Sequence, residues 1–512
     1  MVTPLRVLLL LFYVACLTAV IMVLSPQEVK LGEDFTLNVF STADLWDKTD
    51  SAKKLDMSQF SDIANQVDSV EKKVSQQQDI LVTSTTSETI TSSIHREKIE
   101  PVKDIKFPIQ FADSLHPKQL DNFFESLRKI YKDKSLVRIV HYGDSQIEGD
   151  RISEYLRTRL QNRFGGCGVG LVPVLEKQSF RSTLTTHHAP NWVRNAIYGN
   201  DAPKKKGTFR FGLLASAYRY SPKTNDSLSS SNKTYRAWVS FKETNMQSDP
   251  KNTQIENIKI LYSSPASRIN TSIKIEEEDT KRDSALQYSL GYANDFHVFE
   301  QYLPAKFKKM TIHFESTEGA EIYGVALDCN EGIAVDNVAL RGSSGVEFTK
   351  IDKEFFRQQI KEMNVKLIIM QFGVNVVPNV LSDYTFYENL FYQQLKYLKS
   401  LSPDLNILVV GVSDMAHKKG THYESYPNIE KIRDAQKRAA FKTGCAFWDL
   451  YEAMGGHNSM LSWVNNKPAL GNKDFTHFTA RGARLVGEML YNALMKEYDN
   501  YKKRMGYEDK LQ

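Results

Sequence analysis

Cysteine and tryptophan are scarce in this chain, and neither sign of charge dominates. The four cysteines Cys16, Cys167, Cys329 and Cys445 are too few and too scattered for a disulfide framework. No pair of them has the short spacing of a zinc site, so a structural metal is not expected, and no motif asks for a cofactor. The formal net charge of +5 over 512 residues is small. The basic runs Lys204-Lys205-Lys206 and Lys502-Lys503-Arg504 are short solvated stretches, which argues against nucleic acid as a partner. Internal repeats are missing, and long apolar runs are missing with one exception.

That exception spans Val7 to Leu24, eighteen residues without a charge, with Arg6 before it and Glu28, Lys30, Glu33 and Asp34 after it. Its length is about the minimum for a membrane span and long for the apolar part of a signal peptide. No small-x-small cleavage site follows it, and Cys16 lies mid-run, away from any lipidation position. Residues 1–25 are therefore expected to be a retained anchor with its N-terminus in the cytoplasm, or alternatively a cleaved signal. Either way the rest of the chain is expected to be exported.

With 41% hydrophobic and 25% charged residues, the chain as a whole can bury a large core. Residues 26–106 do not share that composition. They are rich in Ser, Thr, Gln, Asp and Lys, and read as a largely disordered tether. Within it Ile63, Val67, Val70 and Val74 have the spacing of one short amphipathic helix.

From residue 107 the pattern becomes globular. Leu120–Tyr131 has helical periodicity, Ser135–His141 reads as a buried strand, and Arg151–Phe164 reads as a second helix closed by Gly165-Gly166. Residues 172–332 differ, with short alternating runs such as Thr234–Phe241 and Asn257–Tyr262 between polar turns. They predict an inserted antiparallel β-module, a sandwich by its length. Strand and helix patterns then alternate to Tyr498, which implies a parallel sheet covered on both faces. Cys167 and Cys329 bracket the insert. Buried free thiols are the expected state, with a disulfide across the neck as the alternative in an oxidising compartment.

Short polar fragments sit at the predicted carboxyl ends of the parallel strands, the edge where open α/β sheets bind ligands. Gly143-Asp144-Ser145 follows the first strand and leads into a helix. Alone, it reads as a helix cap. Gly342-Ser343-Ser344-Gly345 follows the second strand and Gly373-Val374-Asn375 the third. Asp474-Phe475-Thr476-His477 precedes the last helix. A serine needs a base to become a nucleophile, and the base needs an acceptor that fixes its tautomer. Gly-x-Ser-x-Gly occurs nowhere, which excludes the ordinary serine elbow.

The order Ser, Gly, Asn, Asp, His over residues 107–500 resembles the SGNH (GDSL-type) hydrolases. The stretches His141–Asp150, Phe164–Gly170 and Ala446–Gly456 look like bacterial exported enzymes of that group, notably peptidoglycan O-acetylesterases. The resemblance implies an α/β, flavodoxin-like three-layer fold made of residues 107–171 and 333–500, interrupted by a carbohydrate-module-like insert. It implies Ser145 as nucleophile, His477 as base and Asp474 as its orienting acid, with Ser145 N–H, Gly345 N–H and the Asn375 amide as oxyanion donors. The implied function is a serine esterase that removes O-acetyl groups from a polysaccharide, anchored in the inner membrane with its catalytic part in the periplasm. A glycan O-acetyltransferase with the same triad, or a non-catalytic glycan-binding scaffold, are the alternatives. Two positions depart from the pattern: Gln146 replaces the commoner Leu, and Val376 stands where many relatives have Asp.

His422, Trp448 and Trp463 are candidate substrate contacts by their nearness to the site fragments. Tyr235, Trp238 and Phe241 recur along a strand, where core packing is the ordinary role and sugar stacking the alternative. His187 and His188 are neighbours in an extended segment, so they point apart and make poor joint metal ligands.

Overall fold

The computed structural model describes residues 12–14, 28–30, 36–38, 55–83, 105–115, 117–176, 181–204, 207–220, 233–244, 249–277, 285–317 and 320–507. Apart from a helical turn at 12–14, the apolar run from Val7 to Leu24 lies outside them, as do Cys16 and most of the Ser/Thr-rich stretch. No helix among the described residues is long and apolar enough to cross a membrane.

Five parallel strands form the central sheet: β1 (Leu136–Gly143), β2 (Gly332–Ala339), β3 (Val365–Gln371), β4 (Asn406–Val410) and β5 (Ala446–Trp448). Their order is β2-β1-β3-β4-β5. These runs are rich in Val, Ile and Leu and are buried nearly throughout, as a sheet covered on both faces requires. In register, Gly143 of β1 stands beside Ala339 of β2 and Gln371 of β3, so the three strands end level. Since β2 lies on one side of β1 and β3 on the other, the chain changes direction across the sheet between β1 and β3. A crevice opens at the carboxyl ends there.

The helices around this sheet are α1 (Ser61–Thr83), α2 (Asp121–Asp133), α3 (Ser153–Phe164), α4 (Lys353–Glu362), α5 (Thr385–Lys399), α6 (Ile429–Lys442) and α7 (Ala480–Arg504). α7 packs on α2 and α3, and α5 packs on α6. α1 falls within the stretch read as a largely disordered tether, but it is a 23-residue helix seated on α7. Val67 and Val70 bury against Tyr155, Asp68 and Glu71 pair with Arg481 and Arg484 at 3.0 and 2.7 Å, and Phe60 meets the Trp463 ring edge-on. An apolar stripe with a partner is what separates this segment from its polar surroundings.

Between β1–α3 and β2 lie two antiparallel sheets. One has five strands in the spatial order Leu286–Leu290, Ile269–Glu276, Lys309–Ser316, Tyr235–Glu243, Leu184–His188. The other runs Ala293–Lys306, Gln254–Ser264, Glu321–Asp328, Ser216–Arg219, Val193–Ala196, and Gly170–Val172 also pairs with Glu321–Asp328. The insert's sheet therefore takes its first strand two residues earlier than composition suggests. A disulfide joins Cys167 to Cys329, 162 positions apart, where the two chain crossings meet; the expected free thiols are paired because the neck holds their Cα atoms 5.1 Å apart. Below it, buried Arg138 of β1 binds Asp336 of β2 at 2.5 Å and also Asp328 of the insert. Cys445 is a buried thiol.

A second, smaller unit comprises residues 1–56 and 417–424. In it Glu28–Lys30 pairs antiparallel with Thr36–Asn38.

Candidate active site

Gly143 ends β1 under steric pressure that fixes the turn behind it. A Cβ there would lie 2.8 Å from the Gln371 carbonyl and 2.9 Å from the Ile147 side chain. The chain turns directly, and Ser145 emerges at the crevice with 8% exposure. At the other end of the sequence, Phe475 adopts φ 53°, and Asp474 Oδ1 accepts the N–H groups of Thr476 and His477, each at 3.0 Å. This tight turn presents both side chains to one side. The His477 ring bridges its neighbours: Nδ1 lies 2.7 Å from Asp474 Oδ2, and Nε2 lies 2.7 Å from Ser145 Oγ. Desolvation raises the Asp474 carboxyl, but hydrogen bonds from His477 and Thr476 outweigh it and hold the group below its usual range. An anionic Asp474 suits an Nδ1–H donor on His477, which leaves Nε2 as the acceptor facing the serine.

Buried polar groups hold these turns together. Asp144 accepts from Gln146 N–H at 3.0 Å with Oδ1 and from Gly373 N–H at 3.1 Å with Oδ2, so it ties the serine turn to the turn after β3. Burial pushes its carboxyl up to about 7, against the backbone donors of Gln146, Val374 and Gly373. Gln146 Nε2 donates to the Thr476 carbonyl at 2.7 Å and to Ser413 Oγ at 3.0 Å, which joins the serine turn to the histidine turn. Arg151 donates to the Ser145 carbonyl at 2.8 Å and to the Phe478 carbonyl at 3.5 Å, a second tie between the same turns. Beneath them the Asn337 amide donates to the Ile147 carbonyl and to Ser153 Oγ, both at 2.8 Å. Ser153 stands 3.0 Å from His141 Nδ1, and His141 Nε2 lies 3.1 Å from Gln371 Oε1. Burial lowers His141 to about 4, so this imidazole is neutral and structural near pH 7.

Against solved structures, the chain superimposes on a peptidoglycan O-acetylesterase with a TM-score of 0.58 and 18% identity, covering 77% of this chain and 99% of that one. The two chains share a fold. Looser matches include an acetyl xylan esterase (TM-score 0.25, 16% identity, 32% of this chain and 81% of that one). Another is a GDSL-like lipase from Bacteroides thetaiotaomicron (TM-score 0.21, 16% identity, 32% of this chain and 76% of that one). No protein-family model matches the sequence, and no curated protein matches it.

On this scaffold the residues singled out by sequence fall into two groups. Ser145, Asp474 and His477 come together. Asn375 stands exposed on the turn after β3, two residues from the Gly373 that Asp144 holds, and its amide donates to the Ser343 carbonyl at 2.9 Å. Gly345 is buried, and its N–H already donates to Ser343 Oγ at 2.9 Å within its own turn, so its expected role as a free donor is corrected. Its φ of 78°, with the Phe372 ring 2.7 Å from where a Cβ would stand, gives the glycine a packing reason instead.

Trp448 and Trp463 are corrected as substrate contacts. Both are fully buried, and their indole N–H groups donate to the carbonyls of Phe107 and Met454, each at 3.1 Å. They are core residues. His422 lies in the smaller unit, exposed on the hairpin Ala416–Lys419/His422–Ser425, with its ring 3.8 Å from Glu424. Phe241 is in the core and Trp238 is half-buried on the five-stranded sheet. Among the described residues no cluster of His, Cys, Asp and Glu is arranged to hold a metal ion. Sequence reading passed over Asn337, His141 and Gln371 as site supports. Their signal was present all the same: polar residues that interrupt the last turns of otherwise apolar buried strands.

Proposed function

We propose that this protein is a serine esterase that removes O-acetyl groups from a polysaccharide, with peptidoglycan as the leading substrate. The observation that carries the reading is the unbroken hydrogen-bonded line from Asp474 through His477 to Ser145, at 2.7 and 2.7 Å, in the crevice beside the end of β1. His477 Nε2 takes the hydroxyl proton as Ser145 Oγ attacks the acetyl carbonyl. Ser145 N–H and the Asn375 amide stabilise the oxyanion. Collapse of the tetrahedral intermediate transfers the proton from His477 to the sugar oxygen and leaves acetyl-Ser145. Water, activated by the same imidazole, then releases acetate.

The overall match to a peptidoglycan O-acetylesterase supports the substrate class, since it extends over 77% of this chain and 99% of that one. We read the insert as a β-sandwich that engages glycan. The apolar run at Val7–Leu24 supports export and anchoring in a bacterial inner membrane, with the catalytic part in the periplasm. To test the mechanism, the protein is mixed with an acetyl donor and quenched. An acetyl increment is expected on the peptide containing Ser145, absent from Ser145→Ala. Adding a glycan separates the rivals: free acetate marks an esterase and acetylated sugar a transferase. No acetyl-serine at all, with glycan still bound, would leave only a scaffold.

A further inference from the structure

The insert also shapes the ground beside Ser145. Its strand Val193–Ala196 runs into a turn closed by Ala196 N–H donating to the Asp201 carbonyl at 3.1 Å. Lys350 of the parallel-sheet domain donates to the Ile197 carbonyl at 3.3 Å, and Phe209 N–H donates to the Lys350 carbonyl at 2.8 Å. The turn is thereby held to the parallel-sheet domain. It carries Tyr198 and Asn200 towards the end of β2. The Tyr198 ring lies so close to Gly342, at φ 87°, that a Cβ there would stand 3.3 Å from it.

Between this turn and the β2 end lies a cavity of about 290 Å³, lined by Glu148, Arg341, Tyr198, Asn200, Arg194 and Leu214 among others. Glu148, which lines the cavity, is three residues after Ser145, and its N–H donates to the Ser145 carbonyl at 3.4 Å. The cavity's size lies at the lower end of ligand pockets, enough for one sugar ring and short for a lipid chain. Its guanidiniums are already matched: Arg341 with Glu148 at 3.4 Å, Arg194 with Asp201 at 3.2 Å, and Arg181 in the floor with Glu176 at 2.9 Å. Paired charges offer donors and acceptors to hydroxyl and amide groups but no uncompensated charge to an anion. One aromatic ring beside such groups is a combination suited to a pyranose.

Resting on the esterase reading above, we propose that this cavity is the subsite for the sugar ring that bears the ester. The ring is a neutral pyranose, and the insert supplies the wall through Tyr198 and Asn200. The insert then positions substrate at the reacting centre as well as binding glycan elsewhere.

The test compares kcat/KM for an acetylated oligosaccharide with that for p-nitrophenyl acetate, which has no sugar. In Tyr198→Ala and Asn200→Ala the ratio of the two is expected to fall by about tenfold or more. In His313→Ala, exposed on the five-stranded sheet, it should stay within about a factor of two. An unchanged ratio in both cavity variants, or a fall in His313→Ala alone, would overturn the proposal. Thermal midpoints report whether each variant is folded. A second measurement separates the subsite from the chemistry: titration of Ser145→Ala with N-acetylglucosamine oligomers that carry no O-acetyl ester, xylo-oligomers and uronic-acid oligomers. Binding of a neutral series that is lost on adding Tyr198→Ala supports the subsite even if wild type releases no acetate, in which case only the esterase reading falls. Binding of the acidic series alone, or of none, contradicts it.

Discussion

Ser145 and His477 are 332 positions apart, yet the contact between them is set by a handful of side chains close at hand. Gln146 is the most direct, since one amide nitrogen serves both the Thr476 carbonyl and Ser413. Gln146→Leu keeps the volume but strands both partners, so a loss of about 1–3 kcal/mol is expected in denaturant titration. Because the histidine turn loosens, kcat should fall while KM holds; an unchanged kcat would remove Gln146 from site positioning. In the proposed reaction Asn375 acts on the chemistry itself. Loss of one oxyanion donor costs about 10²–10³ in kcat, so Asn375→Ala should lose turnover with its melting curve intact. Asp144 gives a pH signature. Its folded-state value of about 7 lies above the unfolded value near about 3.9, so its stabilisation is full below the lower value and is lost as pH rises towards the higher. Asp144→Asn does not titrate. Relative to wild type it should gain roughly 2–4 kcal/mol between pH of about 4 and about 7, on top of a constant offset. Parallel stability curves over that range would show that Asp144 titrates normally. These roles were only partly readable from the chain. Ser145, Asn375, Asp474 and His477 stood out as candidates because polar, turn-forming residues follow apolar strands or precede a terminal helix. That Gly345 N–H would be taken by Ser343 Oγ depends on the turn's shape, which no spacing encodes.

Among the elements, the strands ending level are what bring the turns that carry Ser145 and Asn375 to one edge of the sheet. Their existence followed from hydrophobic patterning, but their order did not, because β2 and β3 flank β1 only through long-range pairing. Trp448 and Trp463 show the same limit. A tryptophan near a site fragment looks like a pocket wall until the packing around it is known, and here both indoles are closed in by core neighbours. α1 is a related case. Its stripe was visible, but its partner on α7 was not. Phe60, at the start of that docking, packs edge-on against Trp463, which in turn contacts Phe478 next to His477. Phe60→Ala should cost about 3–5 kcal/mol in chemical denaturation. A change below about 1 kcal/mol would mean that α1 does not brace the histidine turn in solution.

For the molecule as a whole, the insert and the parallel sheet are joined by the Cys167–Cys329 bridge, the buried Arg138–Asp336 and Arg138–Asp328 pairs and the turn held by Lys350. Composition set the expected bounds of the insert at 172–332 yet left the bridge open, since two cysteines in a sequence say nothing of their distance. Closing a loop of this length is worth about 2–5 kcal/mol, so reduction should lower stability by that amount. Thiol titration of the denatured chain should rise by two on reduction. In the proposed reaction Ser145 cleaves acetyl esters on a glycan. Its most direct test is acetate release from O-acetylated peptidoglycan by wild type and by Ser145→Ala, run beside O-acetylated xylan. Acetate released by wild type, with none above background from the variant, is the expected result. Equal release by both proteins, or none from either glycan, would contradict it.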